Sequence, residues 1–181
     1  MIFAERGVAN TEETLRAAVN RAVELGINHL VVASNTGNTI LPLLKSGLKI
    51  VCVTHQVGFK NSGEDEMPAS MRASLLACDV KVLTTTHLFG GLERGVINKF
   101  SGFGPAYITA STLKMFGQGT KVAVEVAVMA LDSGMVPFGE DIIAIGGSGR
   151  GADTAIVLRP AHSHRFTDTI IREIICKPYS I

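Results

Sequence analysis

Short apolar runs separated by helical segments are the feature that most constrains the fold of this chain. Residues 28–34, 48–54 and 141–146 are rich in valine or isoleucine, and each run is too short for a helix. These runs lack the polar alternation of a half-exposed strand, which is typical of parallel strands covered on both faces. We therefore predict buried parallel strands here, with a further strand at residues 79–86.

The segments between these strands carry apolar residues at helical spacing. After the capping residue Asn10, apolar positions recur every three or four residues until Gly26, which predicts a first helix. Further helices are predicted at residues 67–78, 105–116 and 118–134, and the last is apolar nearly all round, so we expect it to be deeply buried. Residues 154–159 should return as an antiparallel hairpin partner, and residues 169–176 as a final strand.

This order of elements predicts an α/β fold. Strands that alternate with helices and end in a hairpin indicate a three-layer α/β/α sandwich with a mostly parallel sheet and a terminal antiparallel hairpin. The chain has 181 residues and 46% hydrophobic content, enough for the core of one domain. We therefore expect residues 1–181 to form a single domain.

Charge and cysteine usage narrow the class of partner. The 17 basic and 16 acidic residues give a net charge of +1 and form no blocks, so we expect neither nucleic acid nor a membrane as a partner. Cys52, Cys78 and Cys176 sit in apolar runs without metal-ligand spacing, as buried reduced cysteines do, and residues 1–7 lack a signal-peptide core. We expect a cytoplasmic protein, and the sequence leaves a homo-oligomer open.

A first polar loop follows the predicted strand at residues 28–34 and precedes a short helical pattern at residues 40–46. It consists of Ser34, Asn35, Thr36, Gly37, Asn38 and Thr39. Such a turn can direct backbone N–H groups and small side-chain donors at an anion, aided by the helix dipole. We interpret residues 34–39 as a phosphate-binding loop; an ordinary helix cap is the alternative.

A second glycine-rich loop follows the predicted strand at residues 141–146. Its candidate ligand-binding residues are Gly147, Ser148, Gly149 and Arg150. If the strand at residues 28–34 is central, both loops lie at the topological switch point, where ligands bind in such sheets. Two loops of this kind predict a phosphorylated small molecule as the partner, although Arg150 could equally be a solvated hairpin residue.

Other candidates follow the remaining strands. Thr54, His55 and Thr86 end the second and third strands, next to His87, and so should share the rim of the same site. A histidine here could bond a heteroaromatic ring or act in acid–base chemistry; a loop histidine bonded to backbone is the alternative. Phe59 and Phe89 could stack on a flat cofactor or fill the core.

Two features carry no predicted site. His162 and His164 lack a third ligand, so we predict no metal. Residues 87–104 should form a long loop with local helix at residues 92–99.

No nucleophile or triad is evident, so catalytic residues stay unassigned and an enzymatic role stays open.

Two stretches resemble the pyruvate kinase C-terminal domain. One is residues 31–39, following the first helix; the other is residues 139–147 together with residues 149–154, Gly-Arg-Gly-Ala-Asp-Thr. The likeness is closer still to the stand-alone proteins built on that domain without the catalytic barrel. It extends over residues 5–159, and the loop at 88–104 and the tail after residue 160 depart from the kinase pattern.

The resemblance implies a ligand but no kinase activity. In pyruvate kinases with an allosteric site here, the matching loops hold the two phosphates of a sugar bisphosphate, and no catalytic residue lies in this domain. Among the stand-alone relatives, the resemblance implies flavin mononucleotide (FMN), with its single phosphate on residues 34–39. We therefore expect FMN as a cofactor and leave a flavin-dependent redox role open; a sugar-phosphate-binding regulatory module without catalysis is the alternative.

Overall fold

The computed structural model describes residues 1–180, whose seven strands form one sheet in the order β1-β7-β6-β5-β2-β3-β4. The strands are β1 (Ile2–Phe3), β2 (His29–Ala33), β3 (Lys49–Val53), β4 (Lys81–Leu83), β5 (Ile142–Gly146), β6 (Thr154–Arg159) and β7 (Ile170–Pro178). β2 is paired in parallel with both β3 and β5, β3 with β4, and β1 with β7. β6 lies antiparallel between β5 and β7. The predicted mostly parallel sheet with its terminal hairpin is confirmed.

Five α-helices accompany the sheet. They are α1 (Thr11–Leu25), α2 (Ala69–Ala77), α3 (Gly91–Phe100), α4 (Pro105–Lys114) and α5 (Gln118–Asp132). None of the helices in residues 1–180 combines the length and the apolar character that crossing a membrane requires.

Two apolar clusters, one on each face of the sheet, make up the core. On one face Leu15 and Ala18 of α1 pack with Leu75 of α2 against side chains of the strands. On the other face α5 packs on the sheet, with Leu113 of α4 at its edge. The predicted three-layer sandwich and the deep burial of α5 are both confirmed.

The structure differs from the predictions at the chain's shortest elements. Residues Asn38–Leu43 form a 3-10 helix and not the predicted helical turn at 40–46, because Pro42 lacks the N–H that an α-helix needs. β4 is limited to Lys81–Leu83, and β1 was missed because two residues carry no pattern. The helix inside the predicted loop exists as α3.

The cysteines also differ in part from the prediction. Cys52 and Cys176 are buried thiols, and burial raises the pKa of Cys52 to about 12. Cys78 is exposed and directly follows the last turn of α2.

Glycines allow α5 to approach the sheet closely. A Cβ on Gly146 of β5 would overlap the carbonyl oxygen of Gly119 in the first turn of α5. A Cβ on Gly119 would overlap Thr154 Oγ1 and lie 2.8 Å from Asp153 Oδ1. The start of α5 therefore lies directly against the carboxyl end of β5 and the beginning of β6.

We expect Gly119→Ala to lower the free energy of unfolding by about 1–3 kcal/mol, because the added methyl group has no space. Gly95→Ala is the matched control, since a Cβ on Gly95 of α3 would meet nothing within 4 Å. That control should be neutral or stabilising by up to about 1 kcal/mol. Urea unfolding of both variants measures the difference, and equal stability of the two would contradict the close packing.

Candidate functional site

The first loop leaves the end of β2 and is tied to the neighbouring strand. The Ser34 N–H donates to the Val53 carbonyl at 2.9 Å, and the Ser34 side chain is buried. Thr36 and Asn38 are exposed, while Asn35 and Thr39 are half-buried. The loop therefore presents a hydroxyl and an amide to solvent at the carboxyl edge of the sheet.

Gly37 of this loop is required by packing. It has φ of 86°, and a Cβ there would lie 2.6 Å from Met71 Cγ of α2. The missing side chain therefore makes room for α2 and not for a ligand. Because a six-residue 3-10 helix follows, the α-helix dipole expected at this loop is absent.

The second loop is organised around the buried carboxylate of Asp153. Asp153 Oδ2 accepts the N–H of Ser148 at 3.1 Å and that of Gly7 at 3.0 Å, while Oδ1 accepts the Thr154 hydroxyl at 2.9 Å. Donors that could have faced a bound phosphate are thus directed at a side chain of the protein itself. Gly149 and Arg150 are exposed at the tip of the loop.

A small cavity of about 140 Å³ opens at the carboxyl ends of β2 and β3. Asn35, Thr54 and His55 from the strand ends line it, together with Phe59 and His87. Its other wall is α5, which contributes Gln118, Lys121 and Glu125, with Arg94 of α3 at the rim. Residues from the first loop, two strand ends and two helices therefore meet at one cavity.

Three rings form a cluster in this cavity. The His55 ring stacks on Phe59 with centroids 3.8 Å apart, and the His87 ring lies 5.3 Å from His55. Glu66 accepts at His55 Nδ1 (2.5 Å) and pairs with Lys60 (2.7 Å). These two bonds hold the pKa of Glu66 below its usual value although burial opposes them. A carboxylate therefore orients the His55 ring, as in sites where a histidine moves a proton.

His87 is a half-buried member of the cluster. Burial lowers its pKa, and nearby His55 and Lys121 act in the same direction, while Glu125 and the hydrogen bond to the Thr54 carbonyl act against it. His87 therefore stays neutral at pH 7, and because its Nε2–H donates to the Thr54 carbonyl, Nδ1 is left to accept a hydrogen bond.

A buried ion pair forms the helical wall of the cavity. The Lys121 ammonium contacts Glu125 Oε2 one turn along α5, and Glu125 Oε1 accepts the Phe89 N–H at 3.0 Å. Burial lowers the pKa of Lys121, an effect that Glu125 opposes. The Lys121 ammonium lies over the Phe89 ring, 5.2 Å from the ring centroid. Phe89 is buried, so it belongs to the core and does not face a ligand.

A second, larger cavity of about 400 Å³ lies beside the second loop. Ser148 and Gly149 line it with the cationic side chains of Arg6 and Lys114. Gly117 and Gln118 at the start of α5 form a further wall, so Gln118 borders both cavities. The two predicted loops thus border adjacent cavities and not a single one.

The predicted site residues divide among these places. Asn35, Thr54 and His55 line the small cavity, and Ser148 and Gly149 line the large one. The remaining predicted residues line neither cavity: Ser34, Thr36, Gly37, Asn38, Thr39, Thr86, Gly147 and Arg150. Thr86 is exposed, and its methyl group lies where a Cβ on Gly91 would be.

The sequence did not predict that side chains of α5 and α3 line the small cavity. Lys121 and Glu125 stand four residues apart in an otherwise apolar helix, and this spacing was a usable signal of a buried pair. Arg94 and Gln118 carried no such signal. His162 and His164 stack on one another, and His162 pairs with Asp132 at 2.9 Å near the end of α5.

We expect Glu125→Gln to lower the free energy of unfolding by about 3–5 kcal/mol, because the buried Lys121 ammonium loses its counter-ion. Glu13→Gln removes the partner of Arg16 in an exposed pair and serves as the control, with a loss of about 0.5 kcal/mol or less. Chemical unfolding at neutral pH measures both. A loss at Glu125 no larger than that of the control would show that Lys121 is solvated.

We also expect His87 to make the protein less stable in mild acid. In the folded state the pKa of His87 is lower than 6.5, the ordinary value that it has in the unfolded chain. Below pH 6.5 the unfolded chain therefore binds more protons than the folded protein does. Stability should therefore fall as the pH drops from 6.5 to the folded-state pKa, and His87→Gln should remove this part of the fall. Ring C–H chemical shifts followed against pH measure the pKa directly, and a His87 midpoint at or above 6.5 would contradict the assignment.

Solved structures that are similar to this chain include two of a pyruvate kinase. A pyruvate kinase from Cryptosporidium parvum is 16% identical, with a TM-score of 0.44, over 86% of this chain and 23% of that one. The Cryptosporidium parvum pyruvate kinase in complex with ADP is 15% identical, with a TM-score of 0.41, over 97% of this chain and 25% of that one. The chain thus spans about a quarter of the length of these enzymes.

Comparison with family models is more direct. The model described as pyruvate kinase, alpha/beta domain, matches residues 12–158, from α1 through β6. That range includes both glycine-containing loops, the residues of α5 that line the two cavities, and the helices α3 and α4. The chain belongs to the family of the pyruvate kinase alpha/beta domain.

Proposed function

We propose that the protein binds a phosphorylated small molecule at the carboxyl edge of its sheet, and that FMN is this molecule. Its phosphate would lie on residues 34–39, and its ring would extend past Thr54 and His55 toward residues 147–150. The large cavity would take the part of the ring that the small cavity is too small to enclose, since ligand sites span roughly 300–1,000 Å³.

The observation that carries this proposal is the cluster of rings in the small cavity. His55, Phe59 and His87 present flat faces and edges beside the polar groups of Asn35 and Thr54. A flat heteroaromatic ring needs this combination of stacking surface and a few hydrogen-bonding groups. Phe59 is 39% exposed, which leaves part of its face free for a ligand.

The first loop suits one phosphate. Thr36 and Asn38 are exposed and offer a hydroxyl and an amide, and the loop itself carries no charge. Arg94 lines the adjoining cavity and supplies the positive charge that the loop lacks. These three groups suit a single phosphate, which has two ionisable oxygens, better than they suit a bisphosphate.

A redox role would come from the cofactor. Bound FMN supplies hydride and electron transfer, chemistry that no side chain of the protein provides. The chain's own residues would orient the ring, exclude water on the α5 side and hold a proton at His55, whose ring Glu66 orients. Turnover requires a reductant to reach the ring from the solvent side of the cavity.

A specific observation also favours a second candidate, a regulatory module that binds a sugar phosphate without catalysis. The large cavity places Arg6 and Lys114 beside Ser148 and Gly149, two cations next to a glycine-rich loop. A sugar bisphosphate could place one phosphate there and the other on the first loop.

Titration of the apoprotein with FMN, riboflavin and fructose bisphosphate in a calorimeter separates these functions. We expect FMN to bind at least roughly tenfold more tightly than riboflavin, a difference of about 1.4 kcal/mol for the phosphate. Equal affinity for the two flavins would remove the phosphate-binding role of residues 34–39. Tighter binding of the sugar bisphosphate would favour the regulatory module. Anaerobic bleaching of bound FMN by NADH or NADPH then tests the redox role.

The Asn38→Asp variant tests whether the phosphate of FMN lies on residues 34–39. The substitution adds a negative charge with almost no change of shape, so it should weaken FMN roughly tenfold or more and leave riboflavin unchanged. Asn20→Asp adds the same charge on the exposed side of α1 and is the matched control. Loss of riboflavin affinity in Asn38→Asp would indicate a disturbed loop and not a phosphate contact.

A further inference from the structure

Helix α3 carries an uncovered apolar strip. Leu92, Val96 and Phe100 follow one another at four-residue spacing, so they share one face of the helix. Their exposed fractions are 85%, 46% and 70%. No residue of α3 is buried.

What holds α3 in place is a polar contact and not apolar burial. Glu93 Oε1 accepts the Tyr107 N–H at 2.7 Å, and Oε2 accepts the Ala106 N–H at 3.2 Å. Glu93 thus satisfies the first turn of α4, and Gly104 is needed there because a Cβ would lie 2.5 Å from the same carboxylate. This contact fixes α3 against α4 but leaves the strip to solvent.

Exposed apolar side chains also follow α3 along the chain. Phe103 in the connection and Tyr107 and Ile108 in α4 are also more than half exposed. A large side chain has a surface of roughly 200 Å². The exposed parts of these three side chains and of Leu92, Val96 and Phe100 together therefore present on the order of 700 Å² of apolar surface. A typical monomer's largest apolar patch covers about 300–600 Å², and a stable interface buries about 800 Å² on each partner.

A ten-residue helix with such a surface is not stable in isolation. Helices shorter than about 12–15 residues are marginal in water, and their stability in proteins comes from burying an apolar face. The face that α3 would bury is the one left uncovered in the single chain. Another surface must therefore cover Leu92, Val96 and Phe100.

We propose that this surface is the same strip on a second copy of the chain, so that the protein is a two-fold symmetric dimer through α3 and α4. In a two-fold interface the same patch meets itself, and contacts occur in reciprocal pairs. Leu92 and Phe100 lie four residues to either side of Val96. Two antiparallel copies of α3 that cross at Val96 therefore place Leu92 of each copy opposite Phe100 of the other, a large side chain against a smaller one.

The dimer is independent of the ligand proposal, because it rests on residues that line neither cavity. It has one consequence for the cavity: Arg94 at its rim is carried by α3, so dimerisation fixes the helix that supplies this charge.

Sedimentation equilibrium of the purified chain at micromolar concentration tests the proposal. The wild type should have twice the 19.2 kDa mass of one chain. Phe100→Glu places a charge in the interface twice and should weaken association at least roughly 100-fold, giving a folded monomer. Because Phe100 is exposed in the single chain, the substitution does not disturb the core, and circular dichroism verifies this.

Phe138→Glu is the matched control, since Phe138 is 72% exposed in the turn before β5 and belongs to neither α3 nor α4. It should remain a dimer. A monomeric wild type would overturn the proposal. An oligomer of any size that persists in both Phe100→Glu and the double variant Leu92→Glu/Phe100→Glu would overturn it as well, because its interface would lie elsewhere.

Discussion

The buried carboxylate of Asp153 is the interaction on which the carboxyl edge of the sheet depends. A carboxylate without solvent must have its oxygens satisfied by donors, or the fold loses several kcal/mol. Here the donors come from three separate parts of the chain: the segment before α1, the loop after β5, and the first residue of β6. One side chain therefore sets the position of Gly7, of the second loop and of the close contact between α5 and β5.

This arrangement changes how the second loop can act. Glycine-rich loops bind anions by pointing several N–H groups at one place, and in this chain a resident carboxylate already occupies part of that place. The groups left for a ligand are side chains around it, Arg6 and Lys114, and the start of α5. Gln118 separates the two cavities, so a ligand in either one contacts the same turn of helix.

The fold could be predicted because its determinants are periodic. Runs of valine and isoleucine mark the strands, and the apolar spacing of α1 and α5 marks helices long enough to be recognised. The short elements could not be predicted in the same way, since two residues of β1 or a Pro42-containing turn carry no period. Because parallel strands end on the same side of a sheet, the sequence predicts one shared rim for Asn35, Thr54 and His55, and in the structure these three residues line one cavity.

The rest of the site depends on distances that the sequence does not contain. Gly37 reads as a ligand-binding glycine, yet it faces Met71, a residue 34 positions further along the chain. Whether a glycine makes room for a ligand or for a helix is decided by which helix packs there. Glu66 reaches His55 from a loop, and Arg94 reaches the cavity from α3. The orientation of both segments follows only from tertiary packing.

The position of β1 at the edge of the sheet has a consequence for synthesis. Within residues 1–180, β1 pairs with β7 alone, and β7 follows it in the sequence by more than 160 residues. β6 and β7 must also be made before the sheet extends past β5. β1 therefore stays unpaired until β7 has been made, so the sheet is completed only after the central strands β2, β3 and β5 have been made.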